Sequence, residues 1–288
     1  KEISKEDIPL VGGKGANLGE MAGAGFPIPA GFCLTSAAYR KLIGDNQLEP
    51  KIRSLLTGLN VENNRQLNEA ARKIQNLILK ADIPEEIVKQ VFDLYRHLKP
   101  GNQSPLVAVR SSATAEDLPD ASFAGQQESY LNIKGEANVL QAVRKAWASL
   151  FGARAIYYRV NKHFDHFKVA LAIPVQLMVQ SDVSGVMFSV NPVTNHKNQI
   201  VIEAIWGLGD YIVQGVVTPD HYVVRKEDYT IHSRLTSEQT VMEVYKHPSG
   251  VKEVRVPAKL IKQIKLDDDQ ITKLAQIGDA IQKHYYFP

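Results

Sequence analysis

Apolar residues recur with a helical period over much of the first half of the chain. Between residues 48 and 98 they are spaced three and four apart, as at Ile74, Leu77 and Ile78, which predicts amphipathic helices. The segment 137–158 shows the same pattern and is predicted to be one long helix. Because residues 48–98 carry no chemical signature, we interpret them as scaffold.

Short apolar runs bounded by turn residues predict strands, which dominate after residue 170. The predicted strands are 32–34, 106–110, 173–179, 185–190, 200–204 and 221–224. Two further helices are predicted, one capped by Thr35 and one running from the acidic start at Asp267 to His284. The change of pattern near residue 170 predicts two lobes, 1–172 and 173–288.

A glycine-rich stretch, Val11-Gly12-Gly13-Lys14-Gly15, is predicted to be a turn that leads into a short helix ending near Met21. Glycines let a backbone approach a ligand closely, and the N–H groups at a helix start favour anions. Lys14 would then reach a phosphate. The stretch is not a Walker loop, and a tight turn with a solvated lysine is the alternative.

Arg110 ends a buried strand, Leu106-Val107-Ala108-Val109-Arg110, and is followed by Ser111 and Ser112. A rigid strand that ends in arginine presents a charged, fork-shaped donor at the edge of a sheet, and phosphate is its natural partner. An arginine paired with Glu116 or Asp117 inside the loop fits the spacing equally well.

Two further stretches are candidates for nucleotide contacts. The small, polar segment 122–129 could form a loop that covers phosphates, although its composition alone favours a plain surface turn. Gln176 lies in a predicted strand near the expected lobe junction, where backbone groups and an amide side chain often hold a base. The alternative is a core strand with one exposed glutamine.

Composition excludes several classes of protein. The net charge of +3 comes from scattered basic residues, so nucleic acid is not an expected partner. Cys33 is the single cysteine, which rules out an intrachain disulfide and a cysteine-rich metal site. His163 and His166 are expected to be surface residues, and no metal site is predicted. No apolar run approaches a membrane span and no signal peptide is visible, so we expect a cytoplasmic protein.

Together these stretches resemble the pyruvate- and phosphoenolpyruvate-linked dikinases, and the resemblance covers nearly the whole chain. The motifs that carry it are LVGGKGANLGE at 10–20, PAGF at 29–32, VAVRSSATAEDLP at 107–119, FAGQQE at 123–128, SGVMFS at 184–189, WGLG at 206–209 and VTPD at 217–220.

The resemblance implies a two-lobed ATP-grasp fold of the α+β class, with ATP held in a cleft between the lobes and Mg²⁺ on its phosphates. It implies that Lys14 and Arg110 bind phosphate and act in catalysis. Gly125 and Ser129 would lie in the loop over the nucleotide, where the family often has threonine in place of Ser129. Gln176 would bind the nucleotide.

In such enzymes the β-phosphate of ATP passes to a histidine on a swivelling domain and then to pyruvate on a barrel domain. Motifs of those two domains are absent from this sequence. The family's metal-binding glutamate and its glutamine-serine-arginine motif would lie beyond Pro288. Both ends look cut from a longer chain, so we expect ATP binding but incomplete turnover.

Three functions remain open on these grounds. The first is the ATP-binding domain of a phosphoenolpyruvate synthase. The second is the same domain of a rifampin phosphotransferase, which shares the architecture but phosphorylates an antibiotic. The third is a non-catalytic nucleotide-binding module.

Overall fold

A computed structural model describes residues 2–98, 104–114 and 128–287, with the backbone of 117–118 and 121–122. The chain forms two compact units. Unit 1 is Lys1–Met178 with Pro248–Gly250, and unit 2 is Val179–His247 with Val251–Pro288. Both units combine helices with antiparallel sheets, which confirms the predicted α+β class.

Unit 1 begins with a 3-10 turn at Lys5–Asp7. Its helices are α1 (Ile8–Gly23), α2 (Ser36–Asp45), α3 (Leu48–Leu56), α4 (Asn64–Lys80), α5 (Glu85–His97), α6 (Glu136–Ser149) and α7 (Ala153–Asn161). Its strands are β1 (Gly31–Leu34), β2 (Leu106–Arg110), β3 (Ser112–Ala113), β4 (Asp117–Leu118), β5 (Ala121–Ser122), β6 (Ser129–Lys134) and β7 (Leu171–Leu177). The helices predicted for 48–98 are confirmed as α3 to α5. The single helix predicted for 137–158 is wrong, because the chain turns after Ser149 and restarts at the N-cap Gly152.

The main sheet of unit 1 has the strand order β1-β7-β2-β6, and β3 also pairs with β7. Alternation along the strands gives the sheet two unlike faces. One face presents large apolar residues such as Val107, Val109 and Ile173, which lie in the main core. The other presents small or polar residues. They are Gly31, Cys33, Ala108, Arg110, Ala172, Pro174 and Gln176.

Helices α2 to α7 supply the apolar side chains that cover the first face. Trp147, Phe151 and Ile74 are fully buried there. Burying a large apolar side chain contributes about 1.5–3 kcal/mol. This core holds the sheet in place from its first face. The second face remains available for contacts with a ligand.

Helix α1 packs on that second face, where Val11 and Ala16 contact Ala172. The break predicted in the glycine stretch is confirmed at Gly12, where the backbone is not helical (φ +68°) and two helical stretches meet at a kink, but the predicted helix start at Ala16 is wrong, because helix lies on both sides of Gly12. Ser112 explains the kink. A Cβ added at Gly12 would lie 2.6 Å from the Ser112 carbonyl oxygen, so only glycine lets α1 approach β3 this closely.

Unit 2 is built on a second antiparallel sheet with the order β11-β10-β9-β8. Its elements are β8 (Val183–Phe188), β9 (Gln199–Trp206), α8 (Asp210–Val213), β10 (Asp220–Arg225), β11 (Ile231–Leu235), β12 (Val241–Tyr245), β13 (Val251–Arg255) and α9 (Asp268–Tyr285). Helix α9 packs on one face of this sheet, where Ile271 and Ala275 join Ile200, Ile202 and Tyr222. Strands β12 and β13 form a separate hairpin.

The prediction that Asp267 begins the last helix is confirmed. Its side chain accepts from Gln270 N at 2.8 Å, and the Gln270 side chain accepts from Asp267 N at 3.0 Å, which is a capping box. Thr35 is confirmed as the N-cap residue of α2, although its hydroxyl makes no cap bond. In the part of the chain that the structure describes, no helix has the length and apolar character to cross a membrane.

Candidate functional site

Arg110 and Ser129 are direct cross-strand neighbours. They are Cα partners in the antiparallel pair of β2 and β6, so both side chains leave the same face of the sheet. Val107 and Val109 point into the core, which puts Arg110 on the opposite face, the one that carries α1. A guanidinium and a hydroxyl therefore stand side by side at the end of a paired strand.

Ser111 fixes this register from one side. Its N–H donates to Glu128 O at 3.1 Å, and its hydroxyl accepts from Glu128 N at 3.0 Å. These bonds join the two ends of the segment 112–127 directly beside Arg110 and Ser129. Gly125, predicted to cover the nucleotide, lies outside the described residues.

Gln176 lies on the same face as Arg110. It sits on β7 between Gly31 of β1 and Ala108 of β2, which are its Cα partners. Arg110 follows Ala108 by two residues, so the two side chains start about 7 Å apart along the strands and about 5 Å apart across them. The Gln176 amide donates one hydrogen bond to Pro29 O at 3.1 Å, which holds its side chain along the sheet.

A cavity of about 520 Å³ extends from Gln176 along α1 and β1. Its walls include Gly15, Gly19 and Gly31, where the absence of side chains lets neighbouring segments pack closely, and Phe26 contributes an aromatic ring. Arg110 and Ser129 are not among its lining residues. The cavity therefore extends from Gln176, the residue predicted to contact the base, to α1.

Lys14 is placed on α1 by contacts of its neighbours. The Gly15 N–H donates to Ser112 Oγ at 3.3 Å, and Ser112 lies two residues beyond Arg110. The structure therefore brings the Lys14 backbone to the end of the strand that carries Arg110, on the same side of the sheet. Arg110, Ser129 and Gln176 share this face, and α1, which carries Lys14, packs on it.

The histidine predictions have mixed outcomes. His163 is exposed, as expected, but His166 is half-buried and accepts from Arg159 Nε at 2.8 Å. The expectation of a surface residue is therefore wrong for His166, because a buried arginine draws its ring inward. Within the described ranges, no group of three His, Cys, Asp or Glu residues is arranged to hold a metal ion.

Asp220 of the VTPD motif has a structural role that sequence reasoning did not assign. Its carboxylate is fully buried and accepts from Lys265 Nζ at 2.7 Å, Tyr222 Oη at 2.8 Å, Ser237 N at 2.8 Å and Lys265 N at 3.0 Å. These four bonds tie β10 to two later segments of unit 2. The sequence predicted a turn at this motif, but no nearby residue indicated that Asp220 would pair with Lys265, 45 residues away.

The WGLG motif forms a tight turn beside a second buried acid. Gly207 has φ +86° and packs against the Glu243 backbone, and Leu208 N donates to Glu243 O at 2.9 Å. The Glu243 side chain is buried, and its Oε2 has no partner among the described residues. Burial, with Asp210 nearby, raises the pKa of Glu243 to about 7.

Replacing Glu243 by glutamine is expected to change how stability depends on pH. The folded pKa lies above the ordinary value, so wild type loses stability as pH rises from about 4.5 through about 7. The variant has no proton to lose, so at pH 8 it should be more stable than wild type by about 1–3 kcal/mol. Urea unfolding at pH 5 and pH 8 measures the difference.

Glu227→Gln is the matched control for this prediction, since Glu227 is exposed in the same unit. It should shift both measurements by less than about 0.5 kcal/mol. Equal stability of Glu243→Gln and wild type at pH 8 would contradict the assignment of a strained, buried carboxylate.

Comparison with known proteins finds a matching family model and several similar proteins. The model of the pyruvate phosphate dikinase AMP/ATP-binding domain matches residues 8–288. A probable phosphoenolpyruvate synthase of Methanocaldococcus jannaschii is 47% identical over 289 residues, which cover 100% of this chain and 24% of that protein. The phosphoenolpyruvate synthase of Pyrococcus furiosus is 41% identical over 329 residues, covering 100% of this chain and 40% of that protein.

A third relative, the phosphoenolpyruvate synthase of Aquifex aeolicus, is 44% identical over 298 residues, covering 99% of this chain and 35% of that protein. The chain thus spans about a quarter to two fifths of the length of these relatives. A match over residues 8–288 leaves almost none of the chain outside the family model. The chain therefore belongs to the family of the pyruvate phosphate dikinase AMP/ATP-binding domain.

Proposed function

We propose that this chain is the ATP-binding part of a phosphoenolpyruvate synthase-like dikinase. The observation that carries the proposal is the pairing of Arg110 with Ser129 on the sheet face that also bears Gln176 and α1. The family match and relatives named phosphoenolpyruvate synthase support it. ATP is the ligand that fits a cationic strand end, a hydroxyl and an amide on one face of a sheet.

In this proposal the triphosphate lies over the end of β2. Arg110 donates two parallel N–H bonds to phosphate oxygens, and its strand is held rigidly because β6 and β7 pair on either side of it. The Ser129 hydroxyl donates beside it, and Lys14 adds a second charge from α1. Gln176 faces the base. Gly125 belongs to the loop that would cover the phosphates.

The proposed ATP-grasp fold has two lobes, 1–172 and 173–288, with the nucleotide cleft between them. This proposal rests on the family resemblance. Mg²⁺ would neutralise charge on the triphosphate oxygens. We expect the ion to bind together with the nucleotide, because Mg²⁺ is usually held by substrate phosphates and one or two carboxylates.

The reaction proposed for the parent protein is transfer of the β-phosphate of ATP to a histidine on a swivelling domain and then to pyruvate. This chain's share is to bind ATP, align its phosphates and exclude water, since phosphoryl transfer depends mainly on positioning and charge. Relatives at 41–47% identity that are named phosphoenolpyruvate synthase favour this acceptor over rifampin.

Arg110→Ala is expected to weaken binding of ATP by about 10- to 150-fold, because it removes a charge-assisted contact worth about 1.5–3 kcal/mol. Lys14→Ala should act in the same direction. Isothermal titration calorimetry of the chain with ATP and Mg²⁺ measures both. Ser129→Ala should lose a few-fold in affinity, and Ser129→Thr, which keeps the hydroxyl, should bind as wild type does.

Arg65→Ala is the matched control, because Arg65 is an exposed arginine of unit 1 on the scaffold helix α4. It should bind ATP with wild-type affinity. If Arg110→Ala and Lys14→Ala did the same, the phosphates would lie elsewhere. ATP binding without phosphorylation of a histidine domain added in trans would favour a non-catalytic module.

A further inference from the structure

Arg110 is followed by two serines whose side chains are buried. Ser111 is 1% exposed and Ser112 is fully buried, although both directly follow a residue proposed to bind phosphate. Buried hydroxyls are nearly always hydrogen-bonded, because burial without a partner costs free energy. Neither hydroxyl is open to a ligand, so a role of these two residues, here called the serine pair, in binding ATP can only be indirect.

The Ser111 hydroxyl is bonded to the main chain of Glu128. It accepts from Glu128 N at 3.0 Å and donates to Glu128 O at 3.3 Å, and the Ser111 N–H donates to the same carbonyl at 3.1 Å. Glu128 immediately precedes Ser129, which is the Cα partner of Arg110. Ser111 therefore holds Ser129 in position beside the strand that carries Arg110.

The Ser112 hydroxyl is bonded to a different element, helix α1. It accepts from Gly15 N at 3.3 Å, and Gly15 directly follows Lys14. The Ser112 main chain also contacts α1, since a Cβ at Gly12 would lie 2.6 Å from the Ser112 carbonyl oxygen. Strand β3 is itself held, because Ser112 and Ala172 are Cα partners in its pairing with β7. Ser112 therefore holds the backbone of Lys14 in position beside the same strand end.

The residues that the serine pair holds are more accessible than the pair itself. Arg110 and Lys14 are half-buried and Ser129 is exposed. A binding site works when each of its groups is held within about 0.5 Å of its productive position by supporting hydrogen bonds. Lys14, Arg110 and Ser129 are carried by three different elements, α1, β2 and β6. The bonds of the serine pair connect these elements close to all three residues.

We infer that Ser111 and Ser112 are positioning residues for the triphosphate and that each acts through a different group. Ser112 acts through Lys14, and Ser111 acts through Ser129. The inference rests on the proposed function, because it takes ATP as the ligand of these groups. It adds that two adjacent serines, alike in type and in burial, control different contacts with the phosphates.

Double-mutant cycles test the role of Ser112, because the effects of two residues that act through one another are not additive. Ser112→Ala should weaken ATP binding by about 5-fold in the wild-type chain, as expected for one lost hydrogen bond. The further loss should be less than about 2-fold when Lys14 is already alanine, and the full loss should remain when Ser129 is already alanine. Isothermal titration calorimetry with ATP and Mg²⁺ measures each affinity.

Ser111→Ala should show the opposite pattern. It should weaken ATP binding by about 3- to 5-fold in the wild-type chain and in Lys14→Ala, but by less than about 2-fold in Ser129→Ala. A role in stability alone would lower ATP affinity equally in every background or not at all. Ser111→Cys and Ser112→Cys keep the size of the side chain but bond weakly, so they provide the same cycles if an alanine variant does not fold.

Ser149→Ala is the matched control, because Ser149 is a serine of unit 1 on α6 whose hydroxyl donates to Ala146 O at 2.7 Å. It should leave ATP affinity unchanged. Additive losses in all four pairs of variants would overturn the inference, while ATP binding by the wild-type chain would still uphold the proposed function. A wild-type chain that does not bind ATP would overturn the proposed function, and this inference with it.

Discussion

Asp220→Asn is expected to lower the free energy of unfolding of unit 2 by about 3–5 kcal/mol. The substitution leaves the Lys265 ammonium buried without its carboxylate, and breaking one side of a buried pair has this cost. Both side chains are fully buried, so water cannot replace the lost contact. Urea unfolding, followed by the fluorescence of Trp206 in a Trp147→Phe background, reports on this unit.

The exposed pair of Lys262 and Glu238 gives the control. Its atoms are 2.9 Å apart, close to the separation of the buried pair, but the side chains are 78% and 62% exposed. Glu238→Gln should therefore change stability by less than about 1 kcal/mol. The double variant Asp220→Asn, Lys265→Met should recover part of the loss, because it removes the unpaired charge. Equal losses of unfolding free energy in Asp220→Asn and Glu238→Gln would contradict this prediction.

The sequence predicted those parts of the fold whose signal is local. Strand β2 is a continuous apolar run, and helix α9 carries its apolar period and its N-cap within one stretch, so both were found close to their true bounds. Strands β11 and β13 were not predicted. Most of their residues are exposed, and a strand that buries little apolar surface has no period to detect.

The candidate site was predictable in its residues but not in its arrangement. Arg110 was recognisable as the end of a buried strand. Its pairing with Ser129 depends on a register across 18 intervening positions, which the Ser111 bonds hold at the strand ends. The burial of Arg159 could not be predicted for a related reason, since an arginine within a helical apolar period is expected to face solvent. Its burial follows from packing against Phe151 and Leu150, which only the tertiary structure shows.

Gly12→Ala is expected to destabilise unit 1 by about 2–6 kcal/mol and to weaken ATP binding. Gly12 has φ +68° and ψ 171°, a backbone conformation that is essentially restricted to glycine, so an alanine there costs about 1–3 kcal/mol in strain. Its Cβ would also lie 2.6 Å from the Ser112 carbonyl oxygen, and overpacking of this kind costs a further 1–3 kcal/mol, roughly. The carbonyl cannot rotate away cheaply, because β3 is paired with β7. Helix α1 must therefore move off the strand.

That movement links stability to the proposed function. It would draw Lys14 away from the strand end that carries Arg110, so ATP affinity should fall about tenfold, comparable with loss of one charged contact. Gly23→Ala is the control within the same helix, because a Cβ there meets nothing within 4 Å. It should leave ATP affinity unchanged and alter stability by at most about 1 kcal/mol. If Gly12→Ala were destabilised yet bound ATP normally, α1 would support the fold without positioning the phosphates, and Lys14 would lose its proposed role.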